Sequence, residues 1–146
     1  MKTTGITLCL CLWAGAALGA EKPVTCTYEP TVTTLTGVVK NDRLFYGPPG
    51  FGENPKVDAK ETPERLVLDA PIDVKPTKDD HDNEAVAGVK ELQIVPNVVP
   101  DLKPYLDHRV TVTGKLFQGH TGHHHTPALI ALDSIELVKA PSQSTR

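Results

Sequence analysis

Apolar and polar residues alternate with a period of two over five separated stretches. Past the first twenty residues, no stretch holds a 3.6-residue period long enough for a substantial helix. The first stretch, about 31–46 ("TVTTLTGVVKNDRLFY"), is rich in β-branched and aromatic residues. The second, 64–74 ("ERLVLDAPIDV"), puts Leu66 and Leu68 on one face, and the third, 86–95 ("VAGVKELQIV"), aligns Leu92 with Ile94. The fourth, 109–117, alternates through Val110, Val112 and Leu116. The fifth, 128–138, carries Ile130 and Leu132 in one phase and Ile135 and Leu137 in the other, so the change across Asp133 and Ser134 predicts a β-bulge. Between the third and fourth, "PDLKPYLDHR" offers Asp101 as a helix N-cap, with Leu102, Tyr105 and Leu106 at helical spacing, enough for one or two turns.

Strands one and four share a motif, "TLTGVV" at Thr34 to Val39 and "TVTGKL" at Thr111 to Leu116, each with an internal glycine. A glycine inside a strand costs stability unless the strand bends sharply or another backbone comes close, as in a small closed barrel. Three strands, one short helix and two strands is the order of an OB-fold, a five-stranded Greek-key barrel. The reading is therefore a mainly β protein with a small five-stranded OB-like barrel, and a β-sandwich or open meander is the alternative.

The first twenty residues stand apart. Lys2 precedes an apolar run from Ile6 to Leu18, and small residues ("ALGA") lead into the polar "EKPV". That is the layout of a secretory signal peptide, and the run falls short of the roughly 20 residues a membrane span requires. The expectation is a leader over 1–20 and one domain over 21–146, with its core at about 31–139 and a flexible tail at 140–146. The protein would be periplasmic or secreted in a bacterium, without a membrane span or lipid anchor. Without the leader, whose one charge is Lys2, the formal net charge of −3 becomes −4. An acidic surface with no basic block argues against a nucleic-acid partner. Cys26 then has no internal disulfide partner, so it is buried, modified or used between molecules.

In an OB barrel the loops joining strands one to two and four to five, with the face of strands two and three, form the ligand surface. The first loop holds "FYGPPGFGENPKVDAKETP", in which Phe45, Tyr46, Phe51, Glu53 and Asn54 form a candidate rim for a ligand or partner. Its other reading is a long loop held down by its own aromatics. The second holds "QGHTGHHHTP", with four of the six histidines. Imidazole is the commonest metal ligand, and His123 and His125, two apart, share one side of an extended chain, with His124 on the other. A turn at Thr121-Gly122 could fold His120 beside them, and three such nitrogens suit zinc or copper. His124 and His81, the latter within the Asp79-Asp80-His81-Asp82 run, are weaker candidates. The plainer readings are surface histidines, a pH sensor and a solvated turn. His108 reads as a residue favourable to a helix C-terminus. No Ser-His-Asp ordering, phosphate loop or H-E-x-x-H helix is present, so no catalytic residue is assigned.

Together, "TLTGVV", "FYGPPGFGENPKVDAKE", "HRVTVTGKLF" and "GHTGHHHTP" resemble a family of small exported bacterial proteins classified only as a domain of unknown function. The likeness is densest from His108 to Pro127. It implies export and makes the second loop the family's mark, but it implies no activity. The leading functional expectation is an OB-type binding module holding zinc, or copper, at His120, His123 and His125. The alternative is a metal-free protein–protein interaction or inhibitor module that uses the Phe45 to Pro55 and His120 to Pro127 loops against an envelope protein or a small ligand. A metal-dependent hydrolase ranks last, because no general base is visible beside the histidines.

Overall fold

A computed structural model describes residues 22–99 and 101–139. The leader expected over 1–20 and the tail over 140–146 lie outside the described residues. The strands are β1 (Val24–Thr27), β2 (Val32–Lys40), β3 (Phe45–Tyr46), β4 (Lys60–Glu61), β5 (Arg65–Lys75), β6 (Val86–Val95), β7 (Arg109–Gln118) and β8 (Ala128–Leu137). Among the described residues a single 3₁₀ turn, Lys103–Tyr105, stands between β6 and β7. The main sheet runs β5-β2-β7-β8-β6, and β6 pairs with β5 again, which closes a five-stranded barrel. The β6–β8 pair is parallel, and the other barrel pairs are antiparallel. This is the OB order expected from the sequence.

The five barrel strands fall within two residues of the alternating stretches, except where the first overran. β2 stops at Lys40, and Phe45–Tyr46 pairs instead with Lys60–Glu61 in a separate ribbon inside the first loop. The polar Asn41-Asp42-Arg43 segment ends the alternation there, and Asp42 turns towards Arg65. β1, which was not expected, lies parallel on the second half of β5 with Cys26 opposite Val74. Four residues carry too little pattern to be read, and their partner is distant in sequence.

Tyr28, Val39, Leu66, Val74, Leu92, Val110, Val112, Leu116, Ile130 and Leu132 are fully buried. Each such aliphatic side chain contributes about 1.5–3 kcal/mol by leaving water. Cys26 joins this core, where burial pushes its thiol pKa up and keeps it an unreactive thiol. In the connection to β7, Leu102 is buried while Tyr105 and Leu106 pack on the core, as their helical spacing implied. Asp101 is not itself the N-cap. Leu102 holds that position, and the Asp101 carboxylate accepts the Lys103 N–H at 2.9 Å, which satisfies a free donor from one residue earlier.

The bulge sits where the phase change put it. Thr113 faces Ser134 and Gly114 faces Leu132, leaving Asp133 as the extra residue on β8. Both motif glycines are crossing points of backbones. A Cβ at Gly37 would lie 2.3 Å from the Val67 carbonyl oxygen, and one at Gly114 would lie 2.2 Å from that of Ala131. No helix among the described residues is long and apolar enough to cross a membrane.

Candidate functional site

The first loop, 41–64, is organised around a buried carboxylate. Asp58 accepts the N–H groups of Gly50 at 2.8 Å, Gly52 at 2.9 Å and Asn54 at 2.9 Å. Desolvation raises the Asp58 pKa, but the three backbone bonds outweigh it and hold the carboxyl below its ordinary range. Backbone bonds from Gly47 to the Ala59 carbonyl and from Ala59 to the Pro48 carbonyl close the loop's base. At its tip Phe51 has φ 52°, a left-handed conformation that a bulky side chain rarely adopts, and the residue is 59% exposed.

The second loop, 119–127, is held by one side chain of β6. Gln93 accepts the His125 N–H at 2.8 Å through Oε1 and donates to the His123 carbonyl at 3.0 Å through Nε2. Thr126 Oγ1 accepts the Gln93 N–H at 2.9 Å and donates to the Ala128 carbonyl at 2.7 Å. Both backbone and side chain of Gln93 are thus committed to fixing the His123–Thr126 segment.

The two loops meet through Glu61, which comes from β4. Its Oε2 contacts His125 Nε2 at 2.7 Å, and its Oε1 contacts His123 Nδ1. The hydrogen bond from His125 first, then that from His123, overcomes desolvation and lowers the Glu61 pKa. Phe45 stacks on the His125 ring at 4.7 Å and 17°. Gly122 brings the loops closer still, since a Cβ there would lie 3.0 Å from two carbons of the Phe51 ring.

The sequence expectations divide on this geometry. His123 and His125 are brought together, and His124 points elsewhere, as alternation predicted. His120 does not join them, which corrects the expected three-histidine site. Its Nδ1 donates to the Gln118 carbonyl at 3.1 Å, and its backbone N–H donates to His124 Nδ1 at 3.0 Å. The two rings meet edge-on at 4.8 Å beside Phe117. The turn at Thr121-Gly122 therefore folds His120 back onto His124 instead. Burial, and then the neighbouring histidines, push the His124 pKa down. His81 remains in the β5–β6 turn, and no hydrogen bond or ion pair among the described residues joins it to Glu61, His123 or His125. Among the described residues, no group of three or more His, Cys, Asp or Glu side chains is placed so that it could hold a metal ion.

Of the expected rim, Phe45 and Tyr46 are half-buried and pack inside the loop, Tyr46 against Gly52. Phe51, Glu53 and Asn54 are exposed, although the Asn54 backbone belongs to the Asp58 knot. Three contributors had no distinctive sequence signal. Glu61 is one acid among many, Gln93 interrupts an apolar run, and Arg65 opens a strand. Arg65 is 2% exposed, donates to Glu91 and Asp42, and places its guanidinium 5.8 Å from the Phe45 ring that carries His125. A cavity of about 400 Å³ opens along Val86 to Glu91 of β6 and ends at Pro127, beside the second loop.

Residues 91–136 match the family model described as "Domain of unknown function (DUF4431)". That segment runs from Glu91 through the 3₁₀ turn, β7 and the histidine loop to Glu136 in β8, so it contains Gln93 and all four loop histidines but not Glu61 or the first loop. The match supports the likeness to a family of unknown function. No curated protein and no solved structure matches the chain.

Acid should loosen the first loop before it unfolds the barrel. Asp58 and Glu61 have depressed pKa values, so their contribution is complete above the ordinary carboxylate values of 3.8 and 4.5 and is lost as pH falls through the lower folded values. Amide exchange at Gly50, Gly52 and Asn54 should therefore accelerate in acid, beyond the change in intrinsic rate, while the barrel amides stay protected. In Asp58→Asn that acid dependence should disappear. Simultaneous loss of protection in loop and barrel would contradict it.

Proposed function

We propose that this protein is an exported binding module, periplasmic or secreted, that presents its two interlocked loops as a preformed rim to a partner protein. The observation that carries this reading is Phe51. An aromatic side chain is held in left-handed backbone geometry, at a cost of about 1–2 kcal/mol, with its ring set on Gly122 and facing solvent. Local strain of that kind persists only where the surroundings enforce it, and it gathers at ligand clamps. Here the Asp58 knot, which takes the N–H groups of Gly50 and Gly52 on either side of Phe51, enforces it together with the Phe51 N–H bond to the Gly47 carbonyl. An exposed, rigid aromatic on a prepaid loop conformation loses little entropy on binding, which is the property of an interface anchor. The barrel is the scaffold that holds both loops.

Phe51→Asn tests the reading, because asparagine tolerates the left-handed conformation while removing the ring. The melting temperature should stay within about 3 °C of the parent, since a surface change away from core features costs little. Affinity for the partner recovered from an envelope extract should fall by about 30-fold or more, the loss typical of an aromatic anchor. Recovery of the same partner at undiminished affinity would move the interface away from the rim.

A further inference from the structure

Over most of its length β6 is paired along one edge only. β5 follows that edge between Val86 and Gln93, whereas β8 meets the other edge at Gln93, Ile94 and Val95 alone. Two hydrogen bonds show which residues address which edge. The Ile94 N–H donates to the Glu64 carbonyl at the start of β5, and the Gln93 N–H donates to Thr126 Oγ1 on the opposite side. Backbone groups of a strand alternate between its two edges, so Val89 and Glu91 direct their N–H and C=O away from β5. The Gly88 N–H keeps the same phase, since it donates to Asp73 Oδ1 of β5 at 2.9 Å.

Among the described residues, no strand lies on the side that Val89 and Glu91 address. The cavity of about 400 Å³ is there instead, lined by Val86 to Glu91 and by Pro127. Pro127 has no N–H to offer the edge, and its carbonyl already accepts the Gly119 N–H. Nothing lies within 4 Å of the position a Gly88 Cβ would take, which leaves room for another backbone to approach.

We propose that this edge of β6 binds an extended peptide segment of a partner protein, which adds to the sheet as a strand and carries an acidic residue between apolar ones. Strand addition draws its affinity from main-chain bonds and its selectivity from alternate side chains. The Val89 and Glu91 backbones supply the main-chain donors and acceptors. Lys90 selects the acidic residue. It is exposed and makes no ion pair among the described residues, while the adjacent Glu91 carboxylate is already held by Arg43 and Arg65. Opposite charges on neighbouring strands attract, and like charges repel. Val86, Ala87, Val89 and Pro127 line the cavity with hydrocarbon and select the apolar residues. The inference extends the binding-module reading by naming the chemistry of a partner segment. It rests on the β6 edge and not on Phe51, so either can fail without the other.

Amide exchange in the free protein is the first test. Val89 and Glu91 should exchange at least about 10-fold faster than Leu92 and Ile94, whose N–H groups face β5. Equal protection would show that the edge is already satisfied and would overturn the proposal. The second test titrates an acetylated, amidated heptapeptide of alternating valine and glutamate into isotope-labelled protein, followed by nuclear magnetic resonance. Saturable shifts should centre on Val89, Lys90 and Glu91, and exchange at Val89 and Glu91 should slow. Methylating the peptide nitrogens on its bonding edge should weaken binding by about 10-fold or more. Lys90→Glu, at an exposed position, should weaken the glutamate peptide by about fivefold and strengthen a valine–lysine peptide comparably. Phe51→Asn should bind the peptide as the parent does. Absence of any shift at millimolar peptide, or shifts centred on Phe51 and Gly122 instead, would overturn the site. A concentration-dependent dimer joined through β6 would overturn it too, since the occupant would then be a second copy of this chain.

Discussion

Gly114→Ala should destabilise the barrel by about 3 kcal/mol or more, at or beyond the upper end of ordinary overpacking costs. The added methyl carbon would sit 2.2 Å from the Ala131 carbonyl oxygen and 3.0 Å from its carbonyl carbon. Neither atom belongs to a side chain that can rotate away. Relief requires β7 and β8 to separate at their bulge, where nine residue pairs otherwise fix the register. Gly37→Ala should behave alike, with its Cβ 2.3 Å from the Val67 carbonyl oxygen. Gly88→Asn is the informative contrast. Gly88 has φ 64°, but nothing lies within 4 Å of its missing Cβ, so a residue that accepts that conformation should cost less than about 1 kcal/mol. Urea unfolding followed by far-UV circular dichroism should show the midpoint falling for Gly114→Ala with an unchanged slope. A loss below about 1 kcal/mol would mean that the Asp133 bulge yields more easily than a packed strand crossing should.

Glu91→Ala should cost about 3–5 kcal/mol, the range for leaving a buried charge without its partner. Arg65, 2% exposed, donates to Glu91 at 2.5 Å and to Asp42 at 2.7 Å, and its Nε has no partner among the described residues. Asp42 is 68% exposed and cannot replace what Glu91 supplies, so Asp42→Ala should cost no more than about 1 kcal/mol. Arg65→Met with Glu91→Leu should recover most of the loss, because apolar residues of similar volume often replace a buried pair without penalty. The single Glu91 variant should also disturb the packing of the two loops. Arg65 lies beside Phe45, and Phe45 carries His125, so the His125 ring resonances should shift in Glu91→Ala and much less in Asp42→Ala. Equal stability losses in both variants would show that Asp42 and Glu91 neutralise the guanidinium alike, against this account.

Period-two alternation of aliphatic residues fixed each barrel strand's location and inward face, since one face of every strand must leave water. Val110, Val112 and Leu116 on β7 are buried as that alternation requires, and the Ile130–Leu132 to Ile135 phase change marked the Asp133 bulge. The two motif glycines announced close backbone contacts but not with whom. The chemistry of the site was half legible. His123 and His125 share a side because residues two apart do so in extended chain, a local rule. Whether His120 joined them depended on a turn, and that turn delivered it to His124 instead.

The sequence by itself thus determined the β class, the place of each barrel strand and the shared side of His123 and His125, because each follows from patterns within a few residues. Tertiary structure alone decided the rest. It brought Glu61 to His125 from 64 residues away, set Gln93 against the histidine backbone from about 30, and laid Arg65 under Phe45. Those partners carry no local signal, since hydrogen-bonding geometry between distant segments exists only once the barrel has closed and placed its loops side by side.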